Sequence, residues 1–354
     1  MHANAPTPTK PADPLRYPFE TAPQPDEVIE LRPGVLWVRL ALPFRLNHVN
    51  IYLLQDGDGW TMVDAGFGNE ETIAAWTKLF EGPLKGVTIT RLIVTHAHPD
   101  HVGLAGWIVE RFNCPLLMSQ VEYLQSAYHQ HRGSDERKQA QRLFFRRHGM
   151  DEDLTDQLLG RGQEYLQRVS TLPASYRRLS KDDEITIGTR RFKVITGGGH
   201  ALDQVMLYCA DDKLFLSADQ VLSKISPNVS VWAVEPDANS LGEYLTSLAE
   251  LDRVLPDDVL VLPGHGIPFF GVKIRIKQLA DHHEERCRMI ADACRTAPQT
   301  SAQLVPVVFN KHKLDAHQTG FAAGELIAHV NHMLAEGRLT VAPSTDGILR
   351  FATV

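Results

Sequence analysis

Thr95-His96-Ala97-His98-Pro99-Asp100-His101 is the chemically densest stretch of the sequence, with three histidines and an aspartate within six residues. The run before it, residues 91–94, is short and largely apolar, which is typical of a buried strand. Residues 102–112 after it place apolar side chains at helical spacing. The cluster is therefore predicted to lie on a turn from a strand to a helix, where side chains can converge while the flanks stay rigid.

This density of side chains predicts a site for two metal ions. Neutral imidazoles suit zinc, iron and related divalent ions, and a carboxylate adds negative charge. One ion rarely takes four ligands from so short a turn, because their directions diverge. We therefore assign His96 and His98 to one ion and Asp100 and His101 to a second. A polar loop that merely contains histidines is disfavoured, because H-x-H-x-D-H directly follows a buried strand.

Composition and charge set the class of protein. The chain has 354 residues, 43% of them hydrophobic and 22% charged, which is typical of a globular protein with one or two domains. Its formal net charge of −7 disfavours nucleic acid as a partner, since a general polyanion binder is more often basic. The four cysteines show no close metal-binding spacing. No apolar run approaches the roughly 18 residues of a membrane span, so we expect a cytoplasmic protein without a membrane partner.

The order of predicted elements indicates three segments. Residues 1–27 are rich in proline and alanine and are expected to be an extended N-terminal extension. Residues 28–270 begin with hairpin strands, continue with alternating strands and helices, and then repeat a similar half that includes a long strand at 184–196. This pattern fits two sheets packed face to face with helices outside, an αββα sandwich of the α/β class. Helical spacing at about 121–178 predicts an insertion of two or three helices.

The last segment, residues 271–354, changes to a helical pattern. Three predicted helices and a terminal hairpin make a winged-helix-like domain. Winged helices often bind DNA, but many only brace a neighbouring domain. The predicted helix at 320–336 carries Glu325 and Glu336 and neither lysine nor arginine, which disfavours reading of DNA. Whether this domain lines the active site or mediates assembly, for example of a homodimer, stays open at this stage.

The histidine-rich turn resembles the signature of the metallo-β-lactamase superfamily, and further motifs follow in that family's order. Three of them supply the family's third histidine, bridging aspartate and last histidine: Gly197-Gly198-Gly199-His200, Ser217-Ala218-Asp219 and Pro263-Gly264-His265-Gly266. Asp64, in Met62-Val63-Asp64-Ala65-Gly66, matches the early aspartate that supports the site. The resemblance covers about residues 31–270. One departure is Ala218, where glycine is more usual.

The resemblance implies an αββα metallo-β-lactamase sandwich with its ligands along one rim, and it implies how they are divided. His96, His98 and His200 would hold one ion, Asp100, His101 and His265 the other, and Asp219 would bridge them, with Asp64 behind the ligands. The cofactors are then two divalent metal ions. Zinc is the first expectation, and the share of carboxylates leaves iron or manganese open.

Such a site predicts a metal-dependent hydrolase. A bridging hydroxide would attack the substrate, and Asp100 would orient the water and accept its proton. The expected substrate is a small molecule with an acyl thioester, ester or lactone bond, as in glyoxalase II-like relatives. One alternative is a phosphodiesterase or endoribonuclease, because the C-terminal extension resembles that of a branch with endoribonuclease-type relatives. A non-catalytic, metal-binding regulatory protein is the other alternative, and it is weakened by the presence of all seven ligands.

Candidate substrate-pocket residues lie in two places. The insertion offers Tyr123, Tyr128 and Phe144, and the loop after Asp219 offers Lys224 and Trp232. Largely apolar walls suit an acyl chain or a small ring, whereas RNA requires a basic track for its phosphates. The alternative for the aromatic residues is that they only pack the insertion against the rest of the fold.

Overall fold

Two β-sheets face each other in the computed structural model, which describes residues 14–130, 135–159, 168–310 and 316–354. The elements up to the end of the first sheet are β1 (Ile29–Arg32), β2 (Val35–Ala41), β3 (His48–Asp56), β4 (Gly59–Val63), α1 (Glu70–Glu81), β5 (Ile89–Ile93), α2 (Pro99–Val102), α3 (Ala105–Phe112), β6 (Leu116–Met118), α4 (Gln120–Gln130), α5 (Asp135–Arg147), α6 (Glu152–Leu159) and β7 (Arg177–Arg178). The remaining elements are β8 (Glu184–Ile187), β9 (Arg190–Gly197), β10 (Gln204–Cys209), β11 (Leu214–Ala218), α7 (Ser240–Val254), β12 (Leu260–Pro263), α8 (Val272–Thr296), α9 (Ser301–Val308), α10 (Ala316–Ala335), β13 (Leu339–Val341) and β14 (Phe351–Thr353).

The first sheet joins β1 to β7 in chain order, antiparallel up to β4 and parallel from β4 onward. The second sheet has the order β12-β11-β10-β9-β8, and its β11–β12 pair is parallel. Parallel neighbours need a crossover, and α1, α3 and α7 provide three of them. The expected α/β fold, with hairpins first and alternating strands and helices afterwards, is confirmed.

Apolar side chains fill the space between the two sheets. Trp37 and Tyr52 from the first sheet share a buried core with Phe192 and Leu216 from the second. The other face of the first sheet packs against α1 and α3, and the other face of the second packs against α7 and α8. These contacts give the four layers of the expected αββα sandwich.

The predicted long strand at 184–196 is wrong, because the chain turns in the middle of it. β8 and β9 form an antiparallel hairpin in which Ile187 pairs with Arg190. Gly188 between them has φ +59°, a conformation that favours glycine and matches the twist of a two-residue hairpin turn. The glycine was therefore a turn signal within an otherwise strand-like pattern.

The helix predicted at 102–112 is interrupted near its start, giving α2 and α3. Gly103 lies at the interruption, where a Cβ atom would come within 2.5 Å of backbone atoms of both Gly66 and Gly68. The amide of Leu104 donates to the carbonyl of Gly66 at 3.1 Å. This backbone contact fixes the segment after the histidine-rich turn against the segment after β4.

The C-terminal region is helical, as expected, and ends in the hairpin β13–β14. Helices α8 and α10 share one apolar core with α7 of the sandwich, so the two parts are packed together. Cys287 and Cys294 of α8 are buried free thiols. The winged-helix-like character and the three segment boundaries stay predictions. Among the described residues, no helix is both long and apolar enough to cross a membrane.

The described part of the N-terminal extension lies against the sandwich. Leu15 is buried, and Arg16 pairs with Phe270 through a pair of backbone hydrogen bonds. The guanidinium of Arg16 also lies 3.8 Å from the centroid of the Phe270 ring. Residues 1–13 of the predicted extension lie outside the described residues.

Candidate metal centre

The candidate site lies where strands of both sheets end. Asp64 follows β4, residues 95–101 follow β5, His200 follows β9, Asp219 follows β11 and His265 follows β12. Backbone hydrogen bonds join these ends across the two sheets. The amide of Val205 donates to the carbonyl of Thr95 at 2.8 Å, and the amide of Asn50 donates to the carbonyl of Gly264 at 2.7 Å. The strand ends therefore form one rim.

Nitrogen and oxygen atoms converge there in three overlapping groups, within each of which they lie no more than 4.8 Å apart. The groups are His96, His98 and His200; Asp100, His101 and His265; and His96, His101 and Asp219. Asp219 Oδ2 lies 3.4 Å from His200 Nε2 and 3.1 Å from His265 Nε2. Asp219 is thus placed between the first two groups, and the seven residues named from the sequence are brought together.

The chemistry of these atoms fits divalent metal ions. Within the described part of the chain, His101 Nε2, His200 Nε2 and Asp219 Oδ1 are buried side-chain atoms without a hydrogen-bond partner. Leaving a buried polar atom unpaired costs about 1–3 kcal/mol, so their convergence calls for a ligand. Separations of 3.1–3.7 Å between facing carboxylate and imidazole atoms also suit a metal. Ligands about 2.1 Å from a tetrahedral ion lie about 3.4 Å apart.

Hydrogen bonds behind the site fix which ring nitrogen faces it. Three histidines place Nδ1 at 2.7–2.8 Å from an oxygen: His101 from Asp64 Oδ2, His200 from the Asn228 carbonyl and His265 from the His48 carbonyl. Each Nδ1–H then donates outward and leaves Nε2 as the lone-pair atom toward the centre. His98 differs, because its Nδ1 lies 2.9 Å from His96 Nε2 and is the atom directed inward.

Asp64, the aspartate expected behind the ligands, holds both the turn and a histidine. Its Oδ1 accepts from the amide of Thr95 at 2.8 Å, and its Oδ2 accepts from the Thr95 hydroxyl at 2.9 Å. The same Oδ2 contacts His101 Nδ1 at 2.8 Å. Asp64 has φ +66°, in the left-handed region that aspartate tolerates better than most residues. One carboxylate therefore sets the turn and the orientation of His101 together.

The side chains that hold the loop of His265 were not predicted from the sequence. Asn50 donates through Nδ2 to the carbonyls of Pro263 at 2.9 Å and Gly266 at 3.0 Å. Tyr52 donates its hydroxyl to the Pro263 carbonyl at 2.8 Å. Asn50 is only 1% exposed although it lies within an apolar strand. A polar residue in that position was the available signal, because buried amides need partners.

Burial keeps two of the histidines neutral. It lowers the pKa of His96 well below its usual range, and neighbouring histidines add to the effect. Burial likewise lowers the pKa of His98 to about 3. A neutral imidazole is the form that coordinates a metal, so these two side chains are ready to do so at neutral pH.

On the other side of the site, carboxylates raise the pKa of two histidines. Burial opposes a charge on His101, but Asp219, Asp64 and Asp100 outweigh it and raise the pKa of His101 well above its usual value. Burial also opposes a charge on His265, and Asp219 and Asp100 raise its pKa to about 10. Without a metal, protons on these two rings balance the carboxylates.

We expect metal loading to displace these protons. Loading at pH 7 should release about two protons per chain, because His101 and His265 must become neutral to coordinate. Metal affinity should then rise with pH toward the raised pKa values of both rings. Titration calorimetry in buffers of different protonation enthalpy measures the release. Heats that do not depend on the buffer would contradict the assignment of these two rings.

Ala218 accounts for the one departure from the family motif. It has φ +44°, in the left-handed region, and it is buried directly before Asp219. Glycine adopts this conformation without a steric penalty, and alanine tolerates it at about 1 kcal/mol. The usual glycine is thus explained by the backbone, which alanine still allows.

We expect Ala218→Val to lower the free energy of unfolding by about 2 kcal/mol, since a β-branched residue is poorly compatible with this backbone and site. Ala218→Gly is the control and should stay within about 1 kcal/mol of the wild type. Denaturant unfolding of the metal-free proteins measures both. A valine variant as stable as the wild type would show that the turn relaxes freely.

Two of the candidate pocket residues have their rings in packing contacts. Tyr123 stacks on Tyr176 with ring centroids 4.0 Å apart and donates its hydroxyl to the carbonyl of Pro173 at 2.8 Å. Phe144 is 5% exposed and belongs to the core shared with the C-terminal helices. Little surface of Phe144 is left for a substrate. The pocket roles of both stay predictions.

The other three candidates keep open surface. Tyr128 is 38% exposed and Trp232 is 45% exposed, and Lys224 is exposed as well. Lys224 Nζ lies 5.6 Å from the centroid of the Tyr17 ring, so the lysine also contacts the N-terminal extension. Trp232 follows Val231, whose amide donates to the Gly324 carbonyl of α10 at 3.1 Å. The pocket roles of these three also stay predictions.

Comparison with known proteins gives matches along most of the chain. Residues 45–265 match the family described as "Metallo-beta-lactamase superfamily", and residues 287–354 match "Metallo-beta-lactamase-like, C-terminal domain". The crystal structure of a beta-lactamase domain protein from Burkholderia ambifaria is 38% identical, covers 96% of this chain and 98% of that chain, and has a TM-score of 0.88.

Two further relatives are more distant. A metallo-beta-lactamase family protein from Thermus thermophilus shares the fold at a TM-score of 0.76 and 24% identity, covering 92% of this chain and 100% of that one. The probable metallo-hydrolase YqjP of Bacillus subtilis is 25% identical over 86% of this chain and 94% of its own length. The match over residues 45–265 confirms the resemblance seen in the histidine-rich turn: the chain belongs to the metallo-β-lactamase superfamily.

Proposed function

We propose that this protein is a hydrolase with two divalent metal ions, zinc in the first place, that cleaves an acyl thioester, ester or lactone bond. The convergence of three buried atoms without hydrogen-bond partners among the described residues, on His101, His200 and Asp219, carries the proposal. His96, His98 and His200 would hold one ion, and Asp100, His101 and His265 the other. Asp219 faces both groups and would be shared between them.

The chemistry divides between the ions and the protein. When bound, divalent ions supply Lewis acidity and lower the pKa of bound water to about 7. Asp100 is the more open carboxylate, with 19% of its side chain exposed against 7% for Asp219. Burial opposes its charge, but His101 and His265 outweigh burial and lower its pKa, so it is ionised. As a carboxylate, Asp100 Oδ2 would accept a hydrogen bond from an attacking water and so orient it.

Exposed apolar side chains on the segment of His200 and on two segments that contact the candidate site support an acyl substrate. Leu202 is 48% exposed and lies two residues after His200, and Trp232 is 45% exposed on the segment after Asn228. On α4, Val121, Leu124 and Tyr128 are exposed at helical spacing. Where exposed apolar side chains are grouped they can form a binding surface for an apolar ligand, and an acyl chain is such a ligand.

The charges observed on the surface disfavour a polyanion. Arg142 pairs with Glu152 and Asp156, Arg190 pairs with Asp212, and Lys213 pairs with Asp258. Cations that are already paired contribute less to binding a phosphate backbone, which gains its affinity from releasing counterions. We therefore propose phosphodiesters only as the second candidate class of substrate.

One panel of substrates at fixed metal content tests the proposal. The panel holds acyl-CoA and acyl-glutathione thioesters, homoserine lactones, aryl esters, bis-p-nitrophenyl phosphate and a single-stranded RNA. Elemental analysis of the same sample should give about two divalent metals per chain. We expect turnover on at least one acyl substrate, and we expect Trp232→Ala to raise KM more for long acyl chains than for short ones.

Three outcomes would overturn the proposal. A folded full-length chain that takes up no divalent metal contradicts the metal centre. Cleavage of RNA or of the phosphodiester far above every acyl substrate favours the nuclease. Full metal loading without turnover on any class favours a regulatory protein.

A further inference from the structure

Glu122 is a buried carboxylate in the first turn of α4, and it was not among the residues named from the sequence. It is 1% exposed. Within the described residues it forms no ion pair with lysine or arginine. Its two oxygens instead accept from backbone amides: Oε2 from Ala97 at 2.8 Å and Oε1 from Asp203 at 2.7 Å. A buried carboxylate without a cation is costly, and the two amide hydrogen bonds offset part of that cost. The segments that donate these hydrogen bonds therefore indicate what Glu122 holds in place.

The two amides belong to the two segments that carry one group of histidines. Ala97 lies between His96 and His98, and Asp203 lies three residues after His200. One carboxylate thus connects both segments of the His96–His98–His200 group. Ser119 strengthens this connection, because its hydroxyl donates to the Asp203 carbonyl at 2.9 Å and accepts from the amide of Glu122 at 3.3 Å.

Asp64 offers a comparison on the other side of the site. It contacts the ring of His101 directly, and so adds negative charge behind the group of Asp100, His101 and His265. The first group has three neutral ligands of its own, and Glu122 reaches it through the amide of Ala97. Glu122 thus supports the first group through the backbone, whereas Asp64 contacts a ligand ring of the second group directly. Burial raises the pKa of Glu122, and the amides of Asp203 and Ala97, which donate to its carboxylate, act in the opposite direction.

We propose that Glu122 is a positioning residue that sets the metal affinity of the His96–His98–His200 group and leaves the second group unaffected. The inference rests on the proposed metal centre. It follows from the two amide hydrogen bonds, which hold the Ala97 turn and the Asp203 segment at one spacing. A charge behind neutral ligands also favours a bound cation in a site with little solvent.

Glu122→Gln tests this with little change in shape. Its amide oxygen can accept from one of the two backbone amides, but its NH2 group faces the other. We measure metal affinity in two backgrounds, His265→Ala, which keeps the first group intact, and His200→Ala, which keeps the second. We expect Glu122→Gln to weaken binding about 10- to 100-fold in the first background and less than threefold in the second.

Controls separate this role from damage to α4. Ser126→Ala is the matched variant, because Ser126 is buried on the same helix and its hydroxyl donates to the Glu122 carbonyl rather than to the metal-site segments. It should leave both affinities unchanged. If either background binds no metal, the two-step titration of the otherwise intact site replaces it, and Glu122→Gln should shift one step only. If Glu122→Gln does not fold, Glu122→Asp is used, whose shorter side chain cannot reach both amides.

Equal affinities in Glu122→Gln and wild type would overturn the inference, and so would equal losses in both groups. Neither result affects the proposed function, which requires only that the wild type binds about two metals and turns over a substrate. Conversely, a wild type that binds no metal removes both.

Discussion

Asp219→Ala should lower kcat/KM more than about 1,000-fold, which corresponds to about 4 kcal/mol of lost transition-state stabilisation. Asp219 faces every part of the centre, at 3.1 Å from His265 Nε2, 3.4 Å from His200 Nε2 and 3.5 Å from His101 Nε2. Removing it would take the proposed shared ligand from both groups at once, so neither metal would keep the position that the reaction needs. Turnover at fixed metal supply and elemental analysis of the purified variant measure both effects.

The experiment must distinguish activity lost through unfolding from activity lost through damage to the site. Asp219→Asn keeps the shape of the side chain and removes its charge, and it should lose activity to a similar extent. Asp258→Ala is the control, because Asp258 is an exposed aspartate that pairs with Lys213 at the surface. His101→Ala should follow Asp219→Ala. Circular dichroism should show little change in any variant, and wild-type turnover in Asp219→Ala would mean that the site is wrongly assigned.

The histidine-rich turn at 95–101 could be predicted from the sequence because its signals are local: it directly follows a buried strand. His200, Asp219 and His265 were assigned through the family resemblance, and the structure places each of them after a strand end. Strand alternation and helical spacing indicated the two halves for the same reason. These patterns depend on neighbours in sequence, which a single chain displays directly.

The supporting residues could not be predicted because their partners are far apart in the chain. Tyr52 and Asn50 contact Pro263, more than 200 residues away. Glu122 joins Ala97 to Asp203, and its position on an insertion helix gave no indication of this. The failed strand at 184–196 is different, because Gly188 was visible as a turn signal. The apolar pattern of the residues on both sides of Gly188 concealed the turn.

The C-terminal helices hold the segment that orients His200. Arg275 of α8 is 9% exposed and donates to the carbonyls of Leu222 at 2.6 Å and Ile225 at 2.9 Å. The same segment continues to Asn228, whose carbonyl accepts from His200 Nδ1 at 2.7 Å. It is held further on by α10, where Asn331 Nδ2 donates to the carbonyls of Pro236 and Ala238. The helical region therefore supports one side of the proposed metal centre.

Arg275→Met tests this support. We expect it to have the second-largest effect of the proposed variants, on both stability and metal binding. The apolar part of the side chain is retained, but a buried carbonyl and a partly buried carbonyl lose a charged donor, so the free energy of unfolding should fall by about 3 kcal/mol. Loosening of the segment at Asn228 should also weaken metal binding by the group of His200 about tenfold. Lys277→Met is the matched control, because Lys277 lies on the same helix, is 75% exposed in its side chain and pairs with Asp281 one turn further on. Denaturant unfolding and metal titration of both variants measure these effects. If Arg275→Met matches Lys277→Met in stability and affinity, α8 only covers the sandwich and does not determine the geometry of its rim.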